Sequence, residues 1–124
     1  MIFRNSLYRV EAAEHVDNGV VYTISLNADH VIYKAHFPGE PITPGVCMLQ
    51  IAVELLSDAA GVSLELSSVK NVKYLNVLHP DGTPVRVRVC KIEKNEGRVK
   101  AQVDFSISDS PIAKISLTCQ TTVK

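Results

Sequence analysis

The chain contains no tryptophan, few aromatic residues of any kind (6%) and only three cysteines. Cys47, Cys90 and Cys119 are odd in number and widely separated, which excludes a disulfide framework and a CxxC metal site. Charge of one sign is also missing: 13 Lys and Arg balance 13 Asp and Glu, which argues against a general nucleic-acid binder. No apolar run approaches the ~18 residues of a membrane span, so no membrane insertion is expected. Met1–Arg4 lacks the long apolar stretch of a signal peptide, and the expected setting is cytoplasmic and reducing. Glycine-rich phosphate loops and His/Cys/Asp clusters with metal-ligand spacing are absent, so neither cofactor nor metal is expected. Without linkers, repeats or low-complexity stretches, residues 1–124 read as one domain.

What is present is one helical pattern among alternating ones. Residues 43–60, TPGVCMLQIAVELLSDAA, read as a helix, with Thr43 as cap, Pro44 in the first helical position and Gly61 at the exit. Its circumference is apolar apart from a stripe formed by Cys47, Gln50, Glu54 and Ser57, so protein should surround it. Elsewhere the period is two. Val20-Tyr22-Ile24-Leu26, Val85-Val87-Val89, Val99 to Ile107 and Ile115-Leu117-Cys119 alternate with polar residues, as half-buried antiparallel strands do. Tyr8–His15 and Val69–Val77 are further expected strands, and Asn95-Glu96-Gly97 and Asp109-Ser110-Pro111 are turn signals. The fold class is α+β, with an antiparallel sheet wrapped around one long central helix. The balanced charge conceals polarity: residues 1–69 carry 3 basic and 8 acidic residues, and residues 70–100 carry 8 and 3. The basic segment is either a set of solvated strand faces or a docking surface for something acidic.

The stretch that carries chemistry is His36-Phe37-Pro38-Gly39-Glu40-Pro41-Ile42-Thr43-Pro44-Gly45-Val46. Its three prolines and two glycines constrain the backbone, so His36 is held rather than mobile. An imidazole titrating near neutrality suits general-base work. Pro44 has no N–H, which makes the amides of Gly45 and Val46 the free donors at the positive end of the helix. A thioester carbonyl placed there would be stabilised as negative charge develops on its oxygen. The side-chain-free Gly45 would let it approach.

HFPGEPITPGV resembles the HFPG-x-P-x-x-PGV signature of the 3-hydroxyacyl-acyl-carrier-protein dehydratases. The likeness extends weakly over Val69–Tyr74, His79-Pro80-Asp81-Gly82 and the closing strands. The resemblance implies the hotdog fold, a homodimer with shared active sites or a trimer of dimers, and a substrate carried on acyl carrier protein or as a CoA thioester. It implies His36 as catalytic base and Gly45, with Val46 and Phe37, as substrate-binding residues. It also implies an acidic residue on the central helix, but that position, fourteen after His36, is Gln50. An amide orients a hydroxyl without supplying a proton. Glu54, one turn further along the same face, is the candidate to take over. Three functions follow. The first is a lyase dehydrating 3-hydroxyacyl thioesters to trans-2-enoyl thioesters in fatty-acid or related lipid or polyene synthesis. The others are a non-catalytic subunit that binds acyl carriers, and an acyl thioesterase.

Overall fold

The computed structural model describes residues 2–35 and 39–122; His36 and Phe37 lie outside the described residues. In chain order the elements are β1 (Tyr8–Val16), β2 (Gly19–Leu26), α1 (Val31–Ala35), α2 (Gly45–Ala60), β3 (Leu64–Tyr74), β4 (Val85–Asn95), β5 (Arg98–Ile107) and β6 (Ser110–Thr121). The six strands form one antiparallel sheet in the order β1-β2-β4-β5-β6-β3. The sheet curls around α2, which touches every strand from β2 to β6.

The expected alternation decides which face curls inward. Val20, Tyr22 and Ile24 of β2, Val85, Val87 and Val89 of β4, and Val103 and Phe105 of β5 are buried, as are Ile115 and Leu117 of β6. They pack on Met48, Ile51, Ala52, Leu55 and Leu56 of α2, also buried. Each of the valine, leucine, isoleucine, methionine and phenylalanine side chains among them contributes roughly 1.5–3 kcal/mol by leaving water. Both hairpins of the β4-β5-β6 meander close through two left-handed residues, Glu96-Gly97 and Ser108-Asp109. Such turns match the right-handed twist of their strands. The second turn sits one residue earlier than expected, and Ser110 already opens β6 opposite Ile107.

Three local expectations are corrected. The helix begins at Gly45, with Pro44 at the N-cap and no side-chain cap. Thr43 is buried, and its groups are spent elsewhere: its N–H donates to the Leu78 carbonyl (2.8 Å) and its hydroxyl meets that of Tyr33 (2.8 Å). A short second helix, α1, turns Tyr33 inward to make that contact. Finally, β3 starts at Leu64 rather than Val69 and ends at Tyr74. Register shifts between Leu66 and Ser68 and between Val69 and Asn71 break its period, so the strand is hidden from an alternation pattern. The C-terminal exit is as expected. Gly61 is left-handed (φ 72°) and its N–H donates to the carbonyls of Ser57 and Asp58.

Candidate active site

Four tyrosines are present, and every hydroxyl among them bonds to α2 or to the residues leading into it. Tyr33 holds Thr43, as above. Tyr74, at the end of β3, donates to the Gly45 carbonyl at 2.8 Å. Tyr8 donates to Glu54 Oε1 (2.9 Å) and Tyr22 to Asp58 Oδ2 (2.6 Å). His79 adds a contact to the Pro41 carbonyl (3.1 Å), so the loop entering the helix is pinned from two sides.

This bracing sets the geometry of the helix entry. The N–H groups of Cys47 and Met48 turn back onto the Pro44 carbonyl (3.0 and 3.2 Å). Among the described residues, the amides of Gly45 and Val46 have no acceptor, and they stand at the positive end of the helix. Gly45 is required for a reason beyond the expected one. A Cβ there would lie 2.7 Å from the Tyr74 ring, so the space a side chain would need is filled within the protomer.

The expected stripe, Cys47, Gln50, Glu54 and Ser57, faces the hollows along α2, and Asp58 adds a second carboxylate beside it. Cys47 is buried in the core, and burial pushes its thiol up, so it is an apolar filler. The Cys119 thiol is likewise pushed up to about 11. Ser57 bonds back to the Val53 carbonyl. Glu54 is surrounded by donors: Phe3 N–H (2.7 Å), Arg4 N–H (2.9 Å), the Tyr8 hydroxyl, and Gln50 Nε2 (3.0 Å). Asp58 takes Tyr22 and the Arg4 guanidinium (3.1 Å). The two carboxylates thus tie the N-terminal segment and the sheet to the central helix. Donation to Asp58 by Tyr22 and Arg4 outweighs desolvation and holds its carboxyl below the ordinary range.

Two adjoining cavities follow α2. One, of about 350 Å³, is lined by apolar side chains, including Phe3, Val46, Leu49 and Leu66, with Gln50 as the polar wall among the described residues. The other, of about 450 Å³, shares Gln50, Val53 and Leu66 and continues past Arg4, Glu54 and Glu65. Gln50 therefore borders both, and Val46 brings the helix entry to the apolar one. The basic residues of segment 70–100 lie apart from these cavities on the outside of the sheet. Lys70, Lys91 and Lys100 line a hollow of about 300 Å³, and Arg86 and Arg88 another with Asp104.

Of the expected site residues, the described structure brings together Gly45, Val46, Gln50 and Glu54, all on α2. Tyr33, Tyr74, His79 and Asp58 were not anticipated. Tyr22 alone had a visible signal, because an inward strand position occupied by a phenol demands a polar partner inside.

Tyr8 and Tyr22 make one prediction. Burial, reinforced by the adjacent carboxylates, raises both phenols far above the ordinary value of 10. Below pH 10 both are neutral whether the chain is folded or not, and their contribution to stability is complete. Above it the unfolded chain ionises first, so stability falls by about 1.4 kcal/mol per pH unit per tyrosine. Urea midpoints measured between pH 9 and 11.5 should show this slope added to that of the other raised phenols and thiols, and Tyr22→Phe should lower it by about 1.4 kcal/mol per pH unit above pH 10. A slope unchanged in the double variant Tyr8→Phe/Tyr22→Phe would contradict the assignment.

An antiparallel sheet wrapped around one helix, with a proline-braced loop at the helix entry, defines the hotdog class. The solved structure of the dehydratase heterocomplex ApeI:P from Xenorhabdus doucetiae superposes with a TM-score of 0.71 at 16% identity, covering 90% of this chain and 96% of that one. A hypothetical thioesterase with coenzyme A from Streptococcus pneumoniae superposes with a TM-score of 0.65 at 12% identity, covering 94% of this chain and 90% of that one. The chain belongs to the ApeI-like family, described as ApeI dehydratase, whose model matches residues 12–117. It is similar to the 3-hydroxyacyl-acyl-carrier-protein dehydratase FabZ of Clostridium acetobutylicum, 31% identical over 120 residues, covering 80% of this chain and 84% of the relative. The FabZ of Lactiplantibacillus plantarum is 26% identical over 91 residues, covering 67% of this chain. The chain spans 62% of that relative and 64% of the FabZ of Fusobacterium nucleatum, under two thirds of either. Among the described residues no helix is long and apolar enough to cross a membrane, and no three metal-ligating side chains cluster.

Proposed function

We propose that the protein dehydrates 3-hydroxyacyl thioesters, carried on acyl carrier protein or CoA, to trans-2-enoyl thioesters. The observation that carries this reading is the placing of two unspent amides, Gly45 and Val46, beside an apolar cavity that Gln50 borders. The thioester carbonyl accepts from these amides, which stabilise the enolate-like oxygen. His36 removes the α-proton, the carbon–carbon double bond forms and the carbon–oxygen bond of the hydroxyl breaks. Gln50 orients that hydroxyl. Its Nε2 is committed to Glu54 at 3.0 Å, which fixes the direction of the amide. Glu54 faces donors from four groups, so it acts by holding Gln50, and the proton that leaves with water comes back from His36. Phe37 contributes to the acyl site beside the base, and the basic hollows on the outer sheet offer an acidic carrier its approach.

A homodimer with shared sites is part of the proposal. β3 is an edge strand of eleven residues, and Leu66, Val69, Tyr74, Leu75 and Val77 on or beyond it are exposed, as is Val46. A long apolar edge of this kind invites pairing with a second copy. Val69→Lys is expected to convert a dimer to a monomer in sedimentation velocity. An unchanged dimer would place the interface elsewhere.

The direct test is steady-state turnover of a 3-hydroxyacyl carrier substrate by the purified chain. Gln50 in place of an acid favours a second reading, a non-catalytic subunit that binds acyl carriers. It predicts binding without elimination, and activity gained on Gln50→Glu.

A further inference from the structure

Phe3 is held firmly against α2 and the start of β1. Its N–H donates to Glu54 Oε2 at 2.7 Å. Its carbonyl accepts from the N–H groups of Ser6, Leu7 and Tyr8 and from the Ser6 hydroxyl (2.8–3.3 Å). Its ring meets that of His30 edge-on at 5.9 Å and is 7% exposed. The segment around it borders both cavities along α2. Phe3 faces the apolar one, and Ile2 and Arg4 face the other, where Arg4, Glu54 and Glu65 bring charge to walls that include Val53, Leu64 and Leu66. The aromatic ring thus stands where apolar lining gives way to charge.

We propose that Phe3 is the end wall of the acyl pocket and sets the longest chain the site accepts, with Glu54 as the positioning residue that holds it there. This rests on the thioester reading above and adds the residue that determines chain length. A cavity of about 150 Å³ accommodates one benzene ring, so the apolar cavity, at about 350 Å³, holds a substantial acyl group. Methylenes entering past Val46 gain from burial until they reach the ring. Beyond it the walls carry the Glu54, Glu65 and Arg4 side chains among the apolar ones, so each further methylene gains less.

The test is kcat/KM over a ladder of 3-hydroxyacyl carrier substrates of increasing length, for the wild type and for Phe3→Leu, Phe3→Ala and Phe3→Trp. For the wild type each added methylene should raise kcat/KM about fourfold, the usual worth of a buried CH2, up to a limit and then no further. Phe3→Leu and Phe3→Ala should extend the rise to longer chains, and Phe3→Trp should end it sooner. Profiles that keep the wild-type limit in the folded variants would overturn the proposal, as would a limit unmoved in Phe3→Leu should Phe3→Ala fail to fold. So would a changed sedimentation coefficient with an unchanged limit, because a second copy would then fill the cavity. A wild type inactive at every length would refute the dehydratase reading instead. Calorimetric binding of unreactive acyl-pantetheine amides then reads the same length limit without turnover, and a limit independent of residue 3 refutes the proposal on its own.

Discussion

His36→Ala is expected to lower kcat/KM toward a 3-hydroxyacyl carrier substrate by about 10²–10⁴-fold, the usual worth of a general base, with little change in thermal stability. The loss should fall at the upper end, because the proposed scheme gives this imidazole two tasks. It takes the α-proton and returns a proton to the departing hydroxyl, since Gln50 has none to give. The decisive companion is Gln50→Glu. If the wild type already eliminates water, this variant should change the rate by no more than about tenfold, because the proton is supplied elsewhere. If the wild type binds acyl carrier without turnover and Gln50→Glu awakens it, the chain is the non-catalytic subunit. Turnover undiminished in His36→Ala would remove the proposed base altogether.

Glu54→Ala should be the most damaging change to stability among the polar residues of α2. It strands the Tyr8 hydroxyl, which is buried, and releases the amides of Phe3 and Arg4 together with the Gln50 side chain. Leaving a buried donor unsatisfied costs about 1–3 kcal/mol, and several share this acceptor, so a loss of roughly 2–4 kcal/mol is expected. For a domain of this size that lowers the melting temperature by about 10 °C. Glu54→Gln separates holding from proton donation. A positioning group predicts lowered stability and a shifted chain-length limit, because Phe3 loses its anchor. An acid predicts near-native stability with kcat reduced equally at every chain length.

The architecture was legible because it depends on local periodicity. Alternating valines and isoleucines in β2, β4, β5 and β6 specify one apolar face per strand, and residues 45–60 are apolar almost all round. Only a sheet wrapped around that helix buries both. The entry loop was legible because proline and glycine constrain their own backbone. β3 was drawn in the wrong place because its bulges break the alternation that would have marked it.

Other features are set by contacts between residues far apart in sequence. Glu54 and Phe3 are 51 positions apart, Tyr22 and Asp58 36, and Tyr74 and Gly45 29. No local pattern links the members of these pairs. Spacing along the helix placed Glu54 one turn from Gln50, and there it could equally have been a free acid. The fold decided otherwise by delivering four donors to it. Gly45 was expected to leave room for substrate, and folding adds a second demand for glycine by setting the Tyr74 ring where a Cβ would stand. By itself, the sequence determined the absence of a disulfide framework, the helix within the sheet and the rigid entry to α2, because each is a matter of composition or near-neighbour geometry. Only the tertiary structure decided which polar groups of α2 are already engaged, because a hydrogen bond has one geometry and many distant donors compete for it.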